Sequence, residues 1–389
     1  ETVLNETSGQ IHREYAPSLV SKANNVGRFD HSTDGQSIAK GILIEGQSTN
    51  LLNRSEEFDN AYWQKNRTTV QLNAGVSPAG DLTADLVTAD TTGADESHNV
   101  LNGYTFTSGE TYTFSVFAKA HGTILKVRLR AGNTGTWPAD STFTLSGSGS
   151  FASDVGTASI ESCGNGWYRC SVTATANASA TTGRMISLVG PSGSMTFDGD
   201  SYSGIFLWGA QFEESSHSSS YLKVEGSTAT RAAESLSVAT ADIGYTGGPV
   251  TIVTEIDGVQ GSYPRAFALS DGTSSNVIEV HGDSASSTPA TGWYAYSAVD
   301  GVIYVVSANI PSSAGATKLA ISYDTNDVAY NADGNTPGTD TAATLPGGLT
   351  TLSIGVQANG INNQLNGHVK RVALYSEALT DTELQSLTS

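Results

Sequence analysis

The segment GIFLWGAQ, residues 204–211, closes one long block of alternating apolar and polar residues, and VKRVALY, residues 369–375, closes a second. Such alternation over a short run is typical of a β-strand with one buried face. Similar short segments precede each closing strand, and no helical period separates them. Runs of strands joined only by turns predict antiparallel sheets packed face to face. The expected fold class is therefore all-β, with two antiparallel jelly-roll β-sandwiches in tandem.

The composition favours strands and turns and limits the partners. The 389 residues include 42 glycines, and only 15% of them are charged. A chain of this length can form two domains with separate cores. Lys and Arg number 19 against 38 Asp and Glu, a formal net charge of −19, so nucleic acid and anionic membranes would be repelled. No apolar run approaches the ~20 residues of a membrane-spanning helix. We expect no nucleic-acid partner and no membrane insertion.

The patterning changes along the chain and predicts its divisions. The expected divisions are an N-terminal arm, a first sandwich, a linker and a second sandwich, at residues 1–48, 49–214, 215–235 and 236–389. The arm has weak periodicity, so we expect it to pack on a neighbour or to lead from an upstream region. The chain starts at Glu1 without an initiator Met or a leader, which predicts a processed or trimmed start. A single C-terminal helix is expected after Thr380, which forms a capping box with Glu383.

Two cysteines flank a predicted hairpin. In ESCGNGWYRCSV, the pair Asn165-Gly166 is a strong signal for a two-residue turn. That turn places Cys163 opposite Tyr168 and diagonally across from Cys170. Diagonal neighbours are ~7–8 Å apart by Cα, near the limit for a disulfide. Two alternatives stay open, a disulfide between Cys163 and Cys170 or two reduced, half-buried thiols. The spacing favours the reduced thiols.

Several segments resemble a known family. RFDHSTDG, GILIEG and STNLL, in residues 28–52, resemble the entry segment of carbohydrate-binding-module-like domains found in phage tail and virion proteins. TYTFSVFAKA, GNGWYRCSVTATA and the segment that begins GIFLWGAQFE continue the resemblance in the same order, over most of residues 28–235. The ending LNGHVKRVALYSEALTDTELQSLTS resembles the closing strand and helix of laminin-G/concanavalin-A-like jelly rolls of the same proteins.

The resemblance implies a non-enzymatic virion structural protein of a bacteriophage, such as a fibre, a spike or a decoration. It implies a location on the particle surface and two kinds of partner, other virion proteins and host-surface polysaccharide. A homo-oligomer is expected, with a trimer favoured, because the arm lacks support and loop aromatics are expected to be exposed. The family places such proteins on the tail or on the capsid, and both positions stay open.

Glycan recognition needs exposed aromatic faces with a few polar groups beside them. Trp137 lies in a Gly/Thr/Pro loop without alternation, so it is a candidate platform or a subunit contact. In Trp293-Tyr294-Ala295-Tyr296 the two tyrosines share one strand face and Trp293 takes the other. The glycan-binding candidates are therefore Trp137, Trp293, Tyr294 and Tyr296. We expect Trp63, Trp167 and Trp208 to serve packing.

Metal and catalytic motifs are sparse. Asp198 and Asp200 flank a glycine and are candidate ligands of a structural calcium ion, and the sequence indicates no other cofactor. The segment 255–260, EIDGVQ, resembles the two-glutamate strand of concanavalin-A-like glycoside hydrolases. Gln260 replaces the second carboxylate there, and retaining hydrolysis needs both. No catalytic residue is assigned, and the protein is not expected to be an enzyme.

Three alternative functions predict different properties of the protein. A purely structural capsid or tail decoration would have no glycan affinity. A polysaccharide depolymerase or glycoside hydrolase of the particle would need a carboxylate pair assembled from separate loops or subunits. A secreted bacterial lectin-like module would carry a signal peptide upstream of Glu1.

Overall fold

The computed structural model describes residues 29–31, 39–91, 97–259, 263–282, 292–304, 310–311, 317–360 and 362–389. In the first half of the chain the strands are β1 (Phe29–His31), β2 (Ala39–Ile44), β3 (Ser48–Asn50), β4 (Gln64–Asn66), β5 (Thr68–Gly75), β6 (Ala84–Ala89), β7 (Asn99–Thr105), β8 (Thr111–His121), β9 (Lys126–Ala131), β10 (Asp140–Thr144), β11 (Ser150–Val155), β12 (Thr157–Ser162), β13 (Trp167–Thr175), β14 (Thr181–Val189) and β15 (Gly204–Glu213).

The second half continues with strands, one 3₁₀ turn and one α-helix. These are β16 (Ala229–Arg231), β17 (Leu236–Ala239), the 3₁₀ turn Thr240–Ile243, β18 (Val250–Asp257), β19 (Arg265–Ser270), β20 (Val277–Gly282), β21 (Gly292–Val299), β22 (Val302–Tyr304), β23 (Ile310–Pro311), β24 (Thr317–Asp324), β25 (Asp327–Ala332), β26 (Gly338–Asp340), β27 (Thr351–Ile354), β28 (Gly367–Tyr375) and α1 (Asp381–Thr388). The all-β class with one C-terminal helix is confirmed for the part of the chain that is described.

Two antiparallel sheets form the first sandwich. Sheet 1A has the strand order β12-β13-β8-β15-β6-β5, and sheet 1B has the order β11-β10-β9-β14-β7-β4. Alternate side chains of each sheet point inward, as Phe114 and Val116 do from β8 and as Val127 and Leu129 do from β9. All four are fully buried, so the alternation that the sequence shows is the alternation between core and outer face.

The second sandwich also has two antiparallel sheets, each with seven strands in the described part of the chain. Sheet 2A has the order β1-β2-β28-β18-β24-β25-β26, and sheet 2B has the order β17-β27-β19-β20-β21-β22, with β23 also beside β21. Ile252 and Ile321 of sheet 2A pack against Phe267 and Ile278 of sheet 2B in a second core. The tandem arrangement thus has one hydrophobic core inside each sandwich.

The described end of the predicted arm belongs to the second sandwich. Strand β2 pairs with β28, which places Ile42 opposite Val369. Gly41 has a φ of +105°, and a Cβ at this position would lie 2.3 Å from the carbonyl oxygen of Val369. Only glycine fits so close an approach with that backbone. The neighbour on which residues 39–44 pack is therefore the second sandwich of the same chain.

Two chain segments run side by side between the sandwiches. β3 pairs with β16, with Asn50 opposite Ala229. Beside this pair, Arg231 forms an ion pair with Glu45 at 3.3 Å, and the amide of Glu234 donates to the carbonyl of Glu45 at 2.9 Å. We call this two-stranded segment, residues 45–50 and 229–234, the junction. The connection between the sandwiches is thus a hydrogen-bonded ribbon.

Half of the predicted linker covers a sheet. Residues 215–224, named the strap here, lie on the outer face of sheet 1A. Thr113 Oγ1 donates to the carbonyl of Ser215 at 2.8 Å, and Arg169 Nη2 donates to that of Ser219 at 2.7 Å. The prediction of a linker at 215–235 missed this packing because hydrogen bonds from side chains of sheet 1A to strap carbonyls hold the serine-rich segment in place, and these leave no apolar period in the sequence.

A single buried amide ties the junction, the strap and the closing strand β15 together. Asn50 is fully buried, and its Nδ2 donates to the carbonyls of Ala210 and Leu222 at 3.2 and 2.8 Å. Its Oδ1 accepts from the amides of Leu52 and Phe212 at 3.2 and 3.1 Å. All four hydrogen-bonding positions of the amide are therefore used.

The hairpin that contains the cysteines has a three-residue loop, so the predicted register was wrong. Ser162, and not Cys163, lies opposite Tyr168. The backbone amide of Cys163 donates to the carbonyl of Trp167 at 2.8 Å across the loop Gly164-Asn165-Gly166. The three loop residues have φ between 51° and 77°. Cys163 packs with the outer-face cluster around Trp167 and Cys170 lies in the core. Both thiols are free because they lie on opposite faces of the sheet.

The terminal helix is capped as predicted. Thr380 and Glu383 form the reciprocal capping box. Leu384 is fully buried and packs with Val253, Ala320 and Ala329 on the outer face of sheet 2A. The helix therefore covers apolar surface that the sheet would otherwise expose.

The variant Asn50→Ala should lower the free energy of unfolding by about 3 kcal/mol, since it leaves two buried amides, one buried carbonyl and one half-buried carbonyl without their partner. Guanidinium-induced unfolding followed by tryptophan fluorescence would measure the loss. The exposed neighbour Asn53 is the matched control, and Asn53→Ala should stay within ~0.5 kcal/mol of the wild type. Equal effects of the two substitutions would contradict the role given to Asn50.

Candidate functional site

Trp137 is not available to a ligand, so its assignment as a glycan platform was wrong. The side chain is fully buried, and its ring stacks on Phe106 at 5.2 Å between centroids. The indole Nε1 donates to the carbonyl of Ala174 at 2.9 Å. The Gly/Thr/Pro loop around Trp137 predicted an exposed ring. In the structure the loop folds inward, and the ring packs in the core of the first sandwich. Trp63, Trp167 and Trp208 are buried as well, as expected.

The strand β21 separates its aromatic residues into two faces. Trp293 is 2% exposed and belongs to the second core, so it was wrong as a binding candidate. Tyr294 and Tyr296 are half-buried on the opposite, outer face of sheet 2B. The period-two alternation predicted the separation, and the packing of sheet 2B on sheet 2A decides which side is displayed.

The two tyrosines meet residues of the neighbouring strand β20. Tyr294 lies opposite His281 and Tyr296 lies opposite Glu279 in the register of the sheet. The ring of His281 stacks on that of Tyr294 at 5.7 Å between centroids and lies 6.1 Å from that of Tyr296. Three flat rings therefore form one continuous patch.

An ion pair lies beside the rings. Arg265 on β19 is opposite His281, and its Nε lies 3.1 Å from Glu279 Oε1. Both side chains are nearly buried, and Arg265 Nη1 also donates to the carbonyl of Tyr263 at 2.7 Å. We call Arg265, Glu279, His281, Tyr294 and Tyr296 together the tyrosine face. Its two charges hold each other in fixed orientations.

Burial shifts the pKa values of three side chains in the tyrosine face, Glu279, His281 and Tyr296. It raises the pKa of Glu279 above its usual range, against the attraction of Arg265. Burial also lowers the pKa of His281, so the imidazole is neutral at pH 7. His281 Nδ1 lies 3.0 Å from the carbonyl of Gly282, which assigns the proton to Nδ1 and leaves Nε2 as an acceptor. Burial, with the charge of Glu279, raises the pKa of Tyr296, whose hydroxyl stays a donor.

Small residues and a loop shape the surroundings of the tyrosine face. Ala268, Val277 and Ala298 lie on the same outer face and form an apolar cluster with Ala358. The backbone amide of Arg265 donates to the carbonyl of Asn363 at 3.2 Å, which fixes β19 to the loop after β27. The outer face of sheet 2B therefore combines a buried apolar cluster with aromatic rings and an ion pair.

The sequence did not single out Arg265, Glu279 or His281. A usable signal exists in VIEVHG, residues 277–282, where Glu279 and His281 interrupt an otherwise apolar strand at alternate positions. Alternate polar residues on a strand mark its outer face. The partner Arg265 is brought beside them only by the pairing of β19 with β20.

The calcium candidates do not form a cluster. Asp200 Oδ1 accepts from the amides of Tyr202 and Ser203 at 2.9 and 2.6 Å, and Oδ2 accepts from Ser203 Oγ at 2.7 Å. These hydrogen bonds lower the pKa of Asp200. In the described chain no group of three or more His, Cys, Asp or Glu is placed to hold a metal ion. Asp200 orders its own loop, and Asp198 is exposed beside it. Calcium stays a prediction.

The segment that resembles a hydrolase strand carries an ion-pair cluster. Glu255 and Asp257 lie 3.8 and 3.2 Å from Lys370 Nζ. Gln260 lies outside the described residues. The two carboxylates therefore share a lysine on the neighbouring strand, which provides a plain structural role for them.

The chain shows only distant similarity to known proteins. No protein-family model matches the chain, and no curated protein matches it. Among solved structures, the CBM40 module of the Ruminococcus gnavus IT-sialidase, bound to α2,3-sialyllactose, is 16% identical with a TM-score of 0.33, over 40% of this chain and 97% of that one. The LG1–3 region of the laminin α2 chain is 10% identical with a TM-score of 0.29, over 75% of this chain and 66% of that one. TM-scores this low carry no argument about function.

In the part of the chain that the structure describes, no helix is long and apolar enough to cross a membrane. The sequence-based expectation of no membrane insertion stays a prediction.

Both thiols should react slowly in the folded protein, since burial raises the pKa of Cys163 to about 12 and that of Cys170 well above its usual range. The thiolate is the reactive form, and little of it exists at pH 8. Titration with an aromatic disulfide reagent would measure the rate, and the protein unfolded in guanidinium is the control, with two thiols reacting at once. Absence of free thiols after unfolding would instead indicate a disulfide.

Proposed function

We propose that this chain is a non-catalytic glycan-binding protein that holds a saccharide on the tyrosine face of the second sandwich. The observation that carries the proposal is the meeting of two displayed tyrosines and one histidine with the Arg265–Glu279 ion pair on one sheet face. Sugars present C–H surfaces to rings and hydroxyls to polar groups, and this patch offers both within a few ångströms.

The ion pair suits the hydroxyl groups of a sugar. Arg265 supplies N–H donors and Glu279 supplies carboxylate acceptors, and each is held by the other at 3.1 Å. A bound hydroxyl that donates to Glu279 and accepts from Arg265 would meet groups that are already oriented, so little side-chain entropy is lost on binding. Hydrogen bonds to charged groups are also the stronger class.

The engagement of Glu279 supports a binding role over hydrolysis. Glycoside hydrolysis needs two carboxyl groups at a defined separation, one of them free to give or accept a proton. Glu279 is bound to Arg265, and Glu255 and Asp257 share Lys370. The alternative, a polysaccharide depolymerase, would release reducing ends from a polysaccharide, which a reducing-sugar assay would detect.

We further propose that the protein is a structural component of a bacteriophage particle, a fibre, spike or decoration that faces the host surface. Support comes from the resemblance of residues 28–235 to virion carbohydrate-binding-like domains. Other virion proteins, a homotrimer and host polysaccharide are the corresponding partners. Light scattering on the purified chain should give the mass of a trimer, and a monomer would contradict the oligomer.

Glycan-array screening of the full chain, followed by calorimetry with the best ligand, tests the binding proposal. Tyr296→Ala removes a ring of the patch and should weaken binding by at least about tenfold, which corresponds to ~1.4 kcal/mol. Glu279→Gln keeps the shape and removes the charge, and it should weaken binding comparably.

The matched control is Tyr202→Ala, which removes a tyrosine of the first sandwich that is 63% exposed. Its affinity should equal that of the wild type. Binding that survives both Tyr296→Ala and Glu279→Gln would move the site elsewhere. Absence of any glycan binding would favour a purely structural decoration.

A further inference from the structure

A concave site separate from the tyrosine face lies on the outer face of sheet 1A in the first sandwich. Its cavity measures about 400 Å³, within the usual range for ligand pockets. The lining residues are Val76, Ser77, Pro78, Lys119, Cys163, Gly164, Asn165 and Trp167. They come from the β5–β6 loop, from strands β8 and β13, and from the β12–β13 loop, so two loops and two strands line the space.

The pocket is held in shape by hydrogen bonds from two tryptophans. Trp167 Nε1 donates to the carbonyl of Val76 at 3.1 Å, and Trp208 Nε1 donates to Thr83 Oγ1 at 3.0 Å. Both bonds hold the β5–β6 loop against sheet 1A, whose outer face there carries an apolar cluster that includes both indoles. The walls are thus ordered before any ligand arrives, which lowers the entropic cost of binding.

Lys119 places a positive charge in this pocket. It is half-buried on the central strand β8, opposite Trp167 on one side and Phe206 on the other. Its aliphatic stem runs past Gly166, where a Cβ would lie 3.5 Å from Lys119 Cε. The stem is therefore supported by its neighbours, and the ammonium group is directed by packing.

This ammonium group has no carboxylate partner within the described part of the chain. Three other lysines of the described chain are paired with carboxylates: Lys40 with Glu161 at 3.5 Å, Lys223 with Glu225 at 2.6 Å and Lys370 with Asp257 at 3.2 Å. In a chain of net charge −19, a half-buried lysine in a pocket without such a partner is a site of local positive potential.

We propose that this pocket binds the carboxylate-bearing unit of an acidic saccharide. Lys119 pairs with the carboxylate, Asn165 at the rim hydrogen-bonds hydroxyls, and Val76, Pro78 and Trp167 contact the C–H surface of the sugar. One ammonium point charge beside apolar walls suits a monovalent carboxylate, whereas the greater charge of a phosphate is better matched by several donors, such as backbone N–H groups or arginines together. The ligand class rests on the proposed function, but the site is separate from the tyrosine face.

Calorimetry of the full chain with trigalacturonate at low ionic strength tests this inference. The wild type should bind in the millimolar range or tighter, and Lys119→Met should weaken binding at least tenfold. The methyl ester of trigalacturonate keeps the sugar and removes the charge, and it should bind the wild type as weakly as trigalacturonate binds Lys119→Met. Added salt should weaken wild-type binding, since the contact is partly exposed.

Lys126→Met is the matched control, because Lys126 is a half-buried lysine of the first sandwich on the other sheet, opposite Thr144. It should bind trigalacturonate as the wild type does. Lys119→Arg keeps the charge and should retain most of the affinity, which separates loss of charge from misfolding. Circular dichroism and the melting temperature check each variant.

Two results would overturn the inference: no binding of trigalacturonate to the wild type at millimolar concentration, or equal affinity of wild type and Lys119→Met. The variant Tyr296→Ala distinguishes the two sites, since it should keep trigalacturonate binding. Loss of trigalacturonate binding in Tyr296→Ala, but not in Lys119→Met, would assign the acidic sugar to the tyrosine face and overturn this site alone.

Discussion

The buried amide of Asn50 is the interaction on which the arrangement of the chain depends. Its four hydrogen bonds join the junction, the closing strand β15 and the strap. Nearby, Ser48 of the junction, Ser219 of the strap and Glu213 of β15 continue this network. Ser219 Oγ donates to Ser48 Oγ at 2.7 Å, and the amide of Ser219 donates to Glu213 Oε2 at 3.1 Å. A polar network of this kind stabilises a unique arrangement only when its members are satisfied.

The junction also explains how one chain forms two sandwiches without a loose tether. The segment before Asn50 is strand β2 of the second sandwich, and the segment after β16 leads back to β17 in the same sandwich. The chain thus leaves the second sandwich, forms the first, and returns along its own entry strand. The entry and return strands pair with each other, so the hydrogen bonds of the junction contribute to the free energy of unfolding in addition to the burial in the two cores.

Burial, and not residue type, separates aromatic rings that pack from rings that can bind. Trp137 lies in a loop of the kind that often displays a ligand-binding ring, but it is fully buried. Trp293 and Tyr294 are neighbours on one strand, and Trp293 is buried because its side chain points to the core face. The tyrosine face and the pocket around Lys119 both lie on outer faces of sheets, where polar residues join the aromatic ones. Each sheet presents one face to its core, so ligand chemistry can vary on the other face at little cost to stability.

By itself, the sequence determined the all-β class, the two blocks of strands, the capped terminal helix and the two-sided character of β21, because all of these follow from local periodicity and capping chemistry. It did not reveal β6, whose six residues are all buried, since a strand covered on both faces shows no alternation. Tertiary structure alone decided that β2 joins β28, that a serine-rich segment covers sheet 1A, and that Arg265 meets Glu279. These depend on pairings between residues far apart in the chain, and periodicity carries no information about partners at that distance.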